Sequence, residues 1–134
     1  MLSNLKGEAE TKVFPGEPKT LVFVLPLPPR ELSPNARPHH MAKARAVRKY
    51  RLWAWAEARS QNVRPGWAEA KAQATFHFTS NRRRDRDNLL ASLKPAFDGL
   101  VDAGVLADDS GLTHLPVRIE LDANEPRVEI CIER

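Results

Sequence analysis

Along the chain, apolar and polar positions fall into a small number of recognisable periods. LVFVLPLPP, from Leu21, is an apolar, β-branched run closed by Pro26, Pro28 and Pro29, which predicts a buried strand that cannot continue past its prolines. The following RELSPNARPHH is too rich in Pro and Asn for regular structure. From about Met41 to Gln61 the period becomes helical. Ala44, Val47, Tyr50, Ala54 and Ala58 recur at three- and four-residue steps as one apolar stripe, with Arg45, Arg48 and Lys49 on the opposite side. Trp53 and Trp55 fall outside that stripe and suit a second contact surface, where tryptophans serve core or dimer packing more often than base stacking. NVRPGW ends this helix as a turn.

KAQATFHFTS alternates strictly, with Ala72, Ala74, Phe76 and Phe78 on one side, and predicts a half-buried strand. Beyond Asn88, the residues Leu89, Leu93, Ala96, Phe97 and Leu100 mark a second amphipathic helix ending at Gly104. Pro95 predicts a kink or break in it near Ala91 to Lys94, because proline has no N–H to bond one turn back. Two further alternating runs, Val117, Ile119, Leu121 and then Val128, Ile130, Ile132, are joined by the turn DANEP and predict a terminal hairpin. The order β-α-β-α-β-β implies an α+β fold, a small mixed β-sheet with two amphipathic helices packed on it. Residues 1 to 20 are polar and without apolar period, so they are expected to form a flexible leader before a folded domain over 21 to 134.

Length and composition narrow the class. At 134 residues and 42% hydrophobic content, the chain suits one domain with a modest core. No run of eighteen apolar residues and no apolar signal core occur, so a cytoplasmic protein without a membrane partner is expected. The lone Cys131 excludes an intrachain disulfide and a multi-cysteine zinc site, and its strand pattern suits a small buried or half-buried filler. His39 and His40 have no third or fourth ligand at zinc spacing and suit a loop or a phosphate contact.

Charge is unevenly spread. Residues 30 to 51 carry seven lysines and arginines against the single acid Glu31, whereas residues 95 to 134 carry nine acids against three arginines. Such asymmetry favours a face for a polyanion, with nucleic acid the favoured partner.

The chemistry concentrates in RRRDRDN, residues 82 to 88. Asp85 and Asp87, two apart at a strand-to-helix junction, can share a cation if the backbone there is extended. Asp108 and Asp109 follow the second helix, and a helix that leaves one strand end and returns through a short loop can bring that pair back. Mg²⁺ accepts a few carboxylate oxygens, with water and phosphate completing its octahedron, so Asp85, Asp87 and one aspartate of the second pair would suffice. The pattern equally suits Asp87 or Asn88 as an N-cap and DDSG as an ordinary turn. Arg82, Arg83, Arg84 and Arg86 tilt the balance towards the metal, since they would hold a phosphate backbone beside it.

RRRDRDNLLASLKPAFDGLVDAGVLADDSGL, preceded by LPLPPRELSPNARPHHMAKARAVRKYR, resembles the RusA family of Holliday-junction resolvases, especially its phage members. The likeness spans roughly residues 21 to 134 and rests on the ordered set D-x-D-N, F-D-G-L, A-G and D-D-S. It implies a homodimeric, Mg²⁺-dependent endodeoxyribonuclease, with Mn²⁺ as a possible substitute, that nicks four-way or other branched DNA symmetrically in a bacterial or phage-infected cell. By position, the family's catalytic acids fall on Asp85, Asp87 and Asp109, with Asp108 adjoining and Asn88 supporting. Some members carry a lysine four residues after the second aspartate of D-x-D-N, where this chain has Ala91. Lys94 shares a helix face with Asp87, Ala91 and Asp98 but lies about 10 Å along the axis from Asp87. Asp98 suits a supporting role as an ion-pair partner. On this reading Arg37, Lys43, Arg45, Arg48, Lys49 and Arg51 hold the DNA arms through phosphates. Two rival readings are a DNA-binding protein without catalysis and a metal nuclease for other branched DNA or RNA.

Overall fold

Alternation from Ala70 to Phe78 produces β2 (Ala70–Phe78), the strand around which the sheet assembles. The computed structural model describes residues 19–134. Of the expected leader, all but Lys19 and Thr20 lies outside the described residues.

The remaining strands are β1 (Thr20–Leu25), β3 (Leu112–His114), β4 (Arg118–Leu121) and β5 (Arg127–Glu133). They form one mixed sheet in the order β1-β5-β2-β3, and β4 pairs with β2 as well. β5 runs antiparallel to both β1 and β2, whereas β3 and β4 run parallel to β2. This sheet and its helices make the α+β fold expected from the sequence, with one further short strand, β3.

The expected terminal hairpin does not form. β4 and β5 flank β2 on opposite sides, with Ile119 registered on Phe76 from one side and Val128 on Phe76 from the other. Burial explains the exchange of partners. Val128, Ile130 and Ile132 are fully buried, and a strand so apolar is best satisfied between two neighbours, β1 and β2. β4 has only one half-buried apolar residue, Ile119, and serves at the margin. The DANEP segment therefore crosses the end of β2 instead of closing a two-strand turn.

Helix α1 (His40–Ser60) starts where Pro38 ends the loop, and the His39 ring nitrogen Nδ1 accepts from the Met41 N–H at 3.2 Å. Its buried stripe is Ala46, Tyr50, Ala54 and Ala58. Ala44, expected in the stripe, is exposed, because Ala46 and not Ala44 lies one helical turn ahead of Tyr50 on the side turned to the core. Tyr50 anchors the helix by donating to the Pro26 carbonyl at 2.8 Å. Near its C-terminal end, Gln61 Nε2 donates to the Val22 carbonyl at 2.7 Å and Glu57 Oε2 accepts from the Val24 N–H at 3.4 Å. These contacts satisfy outward backbone groups of edge strand β1 that would otherwise invite another strand.

The second predicted helix is two helices, α2 (Arg86–Ala91) and α3 (Lys94–Asp102), separated at Ser92 and Leu93. Pro95 sits in the first turn of α3, where its missing N–H has no role, so the break falls where the sequence placed it. Gly99 is required by packing, since a Cβ there would run into the Arg51 carbonyl oxygen of α1. Gly104 ends the segment at φ +86°, the left-handed conformation open to glycine. The buried sides of α1, α3, β1, β2 and β5 share one core centred on Tyr50, Phe23, Phe76, Leu93 and Leu100.

Candidate active site and nucleic-acid interface

Asp85 is the N-cap of α2. Its Oδ1 accepts from the N–H groups of Asp87 and Asn88 at 2.9 and 3.2 Å, two donors that the helix start cannot satisfy internally. The capping reading of this turn thus holds, with Asp85 instead of Asp87 or Asn88 as the cap. Its backbone is extended, and capping occupies only one carboxylate oxygen. Asp87, exposed in the first turn, makes no side-chain hydrogen bond among the described residues. Neither acid forms an ion pair among the described residues, although four arginines adjoin them.

The arginines divide. Arg84 folds back: its guanidinium carbon lies 3.6 Å from the Phe78 ring centroid, and its nitrogens donate to the carbonyls of Ser80 (3.2 Å) and Arg82 (2.9 Å). Burial, and then the charge of Arg82, push its guanidinium below its usual range. Arg86 Nε donates to the Val117 carbonyl at 3.1 Å, tying the acid-bearing turn to the segment before β4. Arg82 and Arg83 are exposed and make no side-chain hydrogen bond among the described residues.

A second cluster forms at the start of α3. Lys94 Nζ donates to Asp98 Oδ1 at 2.7 Å and to Asp109 Oδ2 at 2.6 Å, joining α3 to the turn after it. Hydrogen bonding first to Asp109 and then to Asp98 raises the Lys94 pKa, which keeps the ammonium charged. Asp108 turns to its own loop, where Oδ2 accepts from the Ser110 hydroxyl (2.5 Å) and N–H (3.3 Å); these bonds, the hydroxyl foremost, hold its carboxyl below the usual range. Gly111 allows this turn to lie against the segment leading into β2, because a Cβ there would strike the Ala68 carbonyl oxygen.

The structure therefore joins Lys94, Asp98 and Asp109 directly, while no hydrogen bond or ion pair links them to Asp85 and Asp87. Among the described residues no group of three or more His, Cys, Asp or Glu side chains stands close enough to hold one metal ion together. The donor chemistry still fits a hard divalent cation. Asp85 and Asp87 retain carboxylate oxygens with no hydrogen bond among the described residues, and Mg²⁺ commonly binds through one or two carboxylates with water and phosphate completing its shell.

On α1, Arg37 at its approach and Lys43, Arg45 and Arg48 within it are exposed and unpaired among the described residues. The Lys49 ammonium lies 4.9 Å from the Trp53 ring centroid. Arg51 is held by both oxygens of Asp102, Nε at 2.6 Å and Nη2 at 2.9 Å, and that bond is the main cause raising its pKa. The sequence gives no local signal for this pair, because its members are 51 positions apart. His39 and His40, expected in the loop, stand at the start of α1, His39 as its N-cap, with their rings tilted at 30° and centroids 4.4 Å apart. Burial pushes the half-buried Cys131 thiol up, opposite to what a nucleophile needs. No helix of the described residues is long and apolar enough to cross a membrane.

Residues 35–133 match the family model described as endodeoxyribonuclease RusA. An uncharacterized protein of Xylella fastidiosa is 36% identical over 100 residues, which cover 69% of this chain and 63% of that relative. The chain thus spans less than two thirds of the relative's length. The family match covers well over half of the chain, and this chain belongs to the RusA endodeoxyribonuclease family.

Proposed function

We propose that the protein is a Mg²⁺-dependent endodeoxyribonuclease that resolves four-way DNA junctions by paired symmetric nicks, acting as a homodimer in the cytoplasm of a bacterial or phage-infected cell. The observation that carries this reading is the open state of Asp85 and Asp87, two carboxylates flanked by four arginines and ion-paired to none of them among the described residues. Family membership supplies the reaction class.

Asp85 and Asp87 would hold the ion, with Asp109 or Asp108 contributing from the second turn. A bound Mg²⁺ or Mn²⁺ there would supply a water of lowered pKa and neutralise charge on the phosphate. Lys94, carried to Asp109 by α3, takes the place of the lysine absent at Ala91 and offers a fixed cation to the scissile group. Asn88 and Asp98 support the two acid segments. Arg82 and Arg83, with Arg37, Lys43, Arg45, Arg48 and Lys49, would grip phosphates without reading sequence. Arg84, Arg86 and Arg51 serve mainly to hold structure, and their remaining N–H groups can add to that grip. Two equivalent sites in a symmetric dimer suit a substrate that must be cut twice.

One observation favours a second reading, a junction-binding protein without catalysis: no three carboxylates converge among the described residues. Incubating the protein with a labelled mobile four-way junction, with and without Mg²⁺, decides between them. Metal-dependent paired nicks support the enzyme. Tight binding with no cutting in Mg²⁺ or Mn²⁺ supports the binder, and flap, duplex and RNA controls report the preferred substrate.

A further inference from the structure

The two tryptophans of α1 have different surroundings. Trp53 is half-buried, packs edge-on to Tyr50 with centroids 6.1 Å apart, and carries Lys49 over its ring. Trp55 is 37% exposed and stands beside Leu52, which is 58% exposed. Together with Arg48, Arg51 and Asp102 they line a hollow of about 320 Å³, at the lower end of the range for small-ligand clefts (about 300–1,000 Å³). The Arg51 guanidinium is locked in its wall by Asp102, and the Arg59 guanidinium lies 5.5 Å from the Trp55 centroid. An exposed indole, an apolar floor and a rim of guanidinium groups are the features with which proteins hold an unpaired base next to its phosphate.

Two arguments separate this occupant from a second copy of the chain. A two-fold contact through the hollow would gather Arg48, Arg51 and Arg59 of both copies in one interface, while the one carboxylate lining it, Asp102, is already engaged by Arg51. Through Asp102 the hollow also stands on the same helix, α3, as the Lys94 cluster. Asp102 and Asp98 are one turn apart on α3, about 6 Å along the axis, and Asp98 shares Lys94 with Asp109.

We infer that the Trp55 hollow is a base-stacking site that takes an unpaired nucleobase from the branch point of a DNA junction. The inference rests on the DNA-junction reading and extends it to the branch point, where strands exchange between arms and a base opened from its pair on binding would need a stacking partner.

The test measures binding of Trp55→Ala and Trp55→Phe to a four-way junction and to a fully paired duplex, with Ca²⁺ in place of Mg²⁺, alongside sedimentation at the same protein concentrations. Trp55→Ala is expected to weaken junction binding by roughly tenfold or more, the scale of losing one stacked base, with duplex binding and oligomeric state unchanged. Trp55→Phe is expected to recover most of the loss, which a folding defect would not permit. Junction affinity within twofold of wild type in Trp55→Ala overturns the inference, as does an equal loss on duplex. Conversion of a dimer to a monomer, with junction affinity restored at higher protein concentration, also overturns it and assigns the hollow to a second copy. If the wild-type protein binds neither DNA, the junction reading falls as well.

Discussion

Two aspartate turns in this molecule have nearly the same local geometry and opposite chemistry. Asp85 accepts from the N–H groups two and three residues ahead at 2.9 and 3.2 Å, and Asp122 does the same at 3.0 and 3.2 Å. Each has arginine close by in sequence. At Asp122 the second carboxylate oxygen is taken by Arg127 at 2.8 Å, and that bond, ahead of the backbone bonds, drives its pKa down to about 2. At Asp85 the neighbouring arginines turn away, Arg84 to the Phe78 ring and Arg86 to the Val117 carbonyl. The comparison separates an aspartate neutralised within its own turn from one that has no ion-pair partner among the described residues. An arginine beside an aspartate is therefore no guide to pairing until its competing partners are known.

Asparagine substitution breaks the comparison most sharply, because Asn caps a helix about as well as Asp and removes only the charge. Asp85→Asn is expected to lower Mg²⁺-dependent cutting by about 10²–10³-fold, the scale of losing one electrostatic element of an active site, while junction binding in Ca²⁺ is retained. An Asp85→Asn protein that cuts at the wild-type rate would remove Asp85 from the chemistry. Arg86→Gln tests whether the tie to Val117 positions the turn. A fall in the cutting rate of about tenfold at saturating junction is expected, less than the roughly hundredfold that a 1 Å misplacement can cause. Unchanged turnover would leave the tie without a catalytic role.

Arg82→Gln sharpens the division among the arginines. It is expected to weaken binding to all DNA sequences alike and to reduce the slope of log affinity against log salt by about 1, as for one lost phosphate contact. A slope equal to wild type would mean that Arg82 does not touch the backbone. The smallest effect is expected at the other turn, where Asp122→Asn should lower the melting temperature by a few degrees at neutral pH and leave the cutting rate of the folded protein intact. The Asp122 carboxyl is held near 2 in the fold against an ordinary 3.8, so its contribution is present above 3.8 and is lost as pH falls towards 2. Melting curves of wild type and Asp122→Asn should converge over that interval, and a gap that persists at the acid end would refute the ion-pair account.

The terminal strands show where legibility in the sequence ended. Their alternation was plain, but alternation states only that a strand has one buried side, and it carries no information on which neighbour it pairs with. Pairing of β5 between β1 and β2 follows from the match of three fully buried aliphatic residues to a central position, a property of the assembled sheet. Helix α1 was legible in extent, while its stripe was placed one residue set away at Ala44. Alanine fits either side of a helix, and only packing into the shared core selects Ala46. Of the candidate site, the two acid turns and the break at Pro95 could be read directly. The attachment of Lys94 to Asp109, fifteen positions away, required the angle between α3 and the following turn.

By itself, the sequence determined the α+β class and the order of its longer elements, the helix break at Pro95 and the separation of basic and acidic segments, because each depends on backbone sterics or on neighbours within a few residues. Only the tertiary structure decided which arginines remain exposed, which carboxylates are already paired, which strand lies beside which, and that Trp55 is exposed while Trp53 is half-buried. Those outcomes depend on competition among groups distant in sequence, and that competition is settled when the core closes.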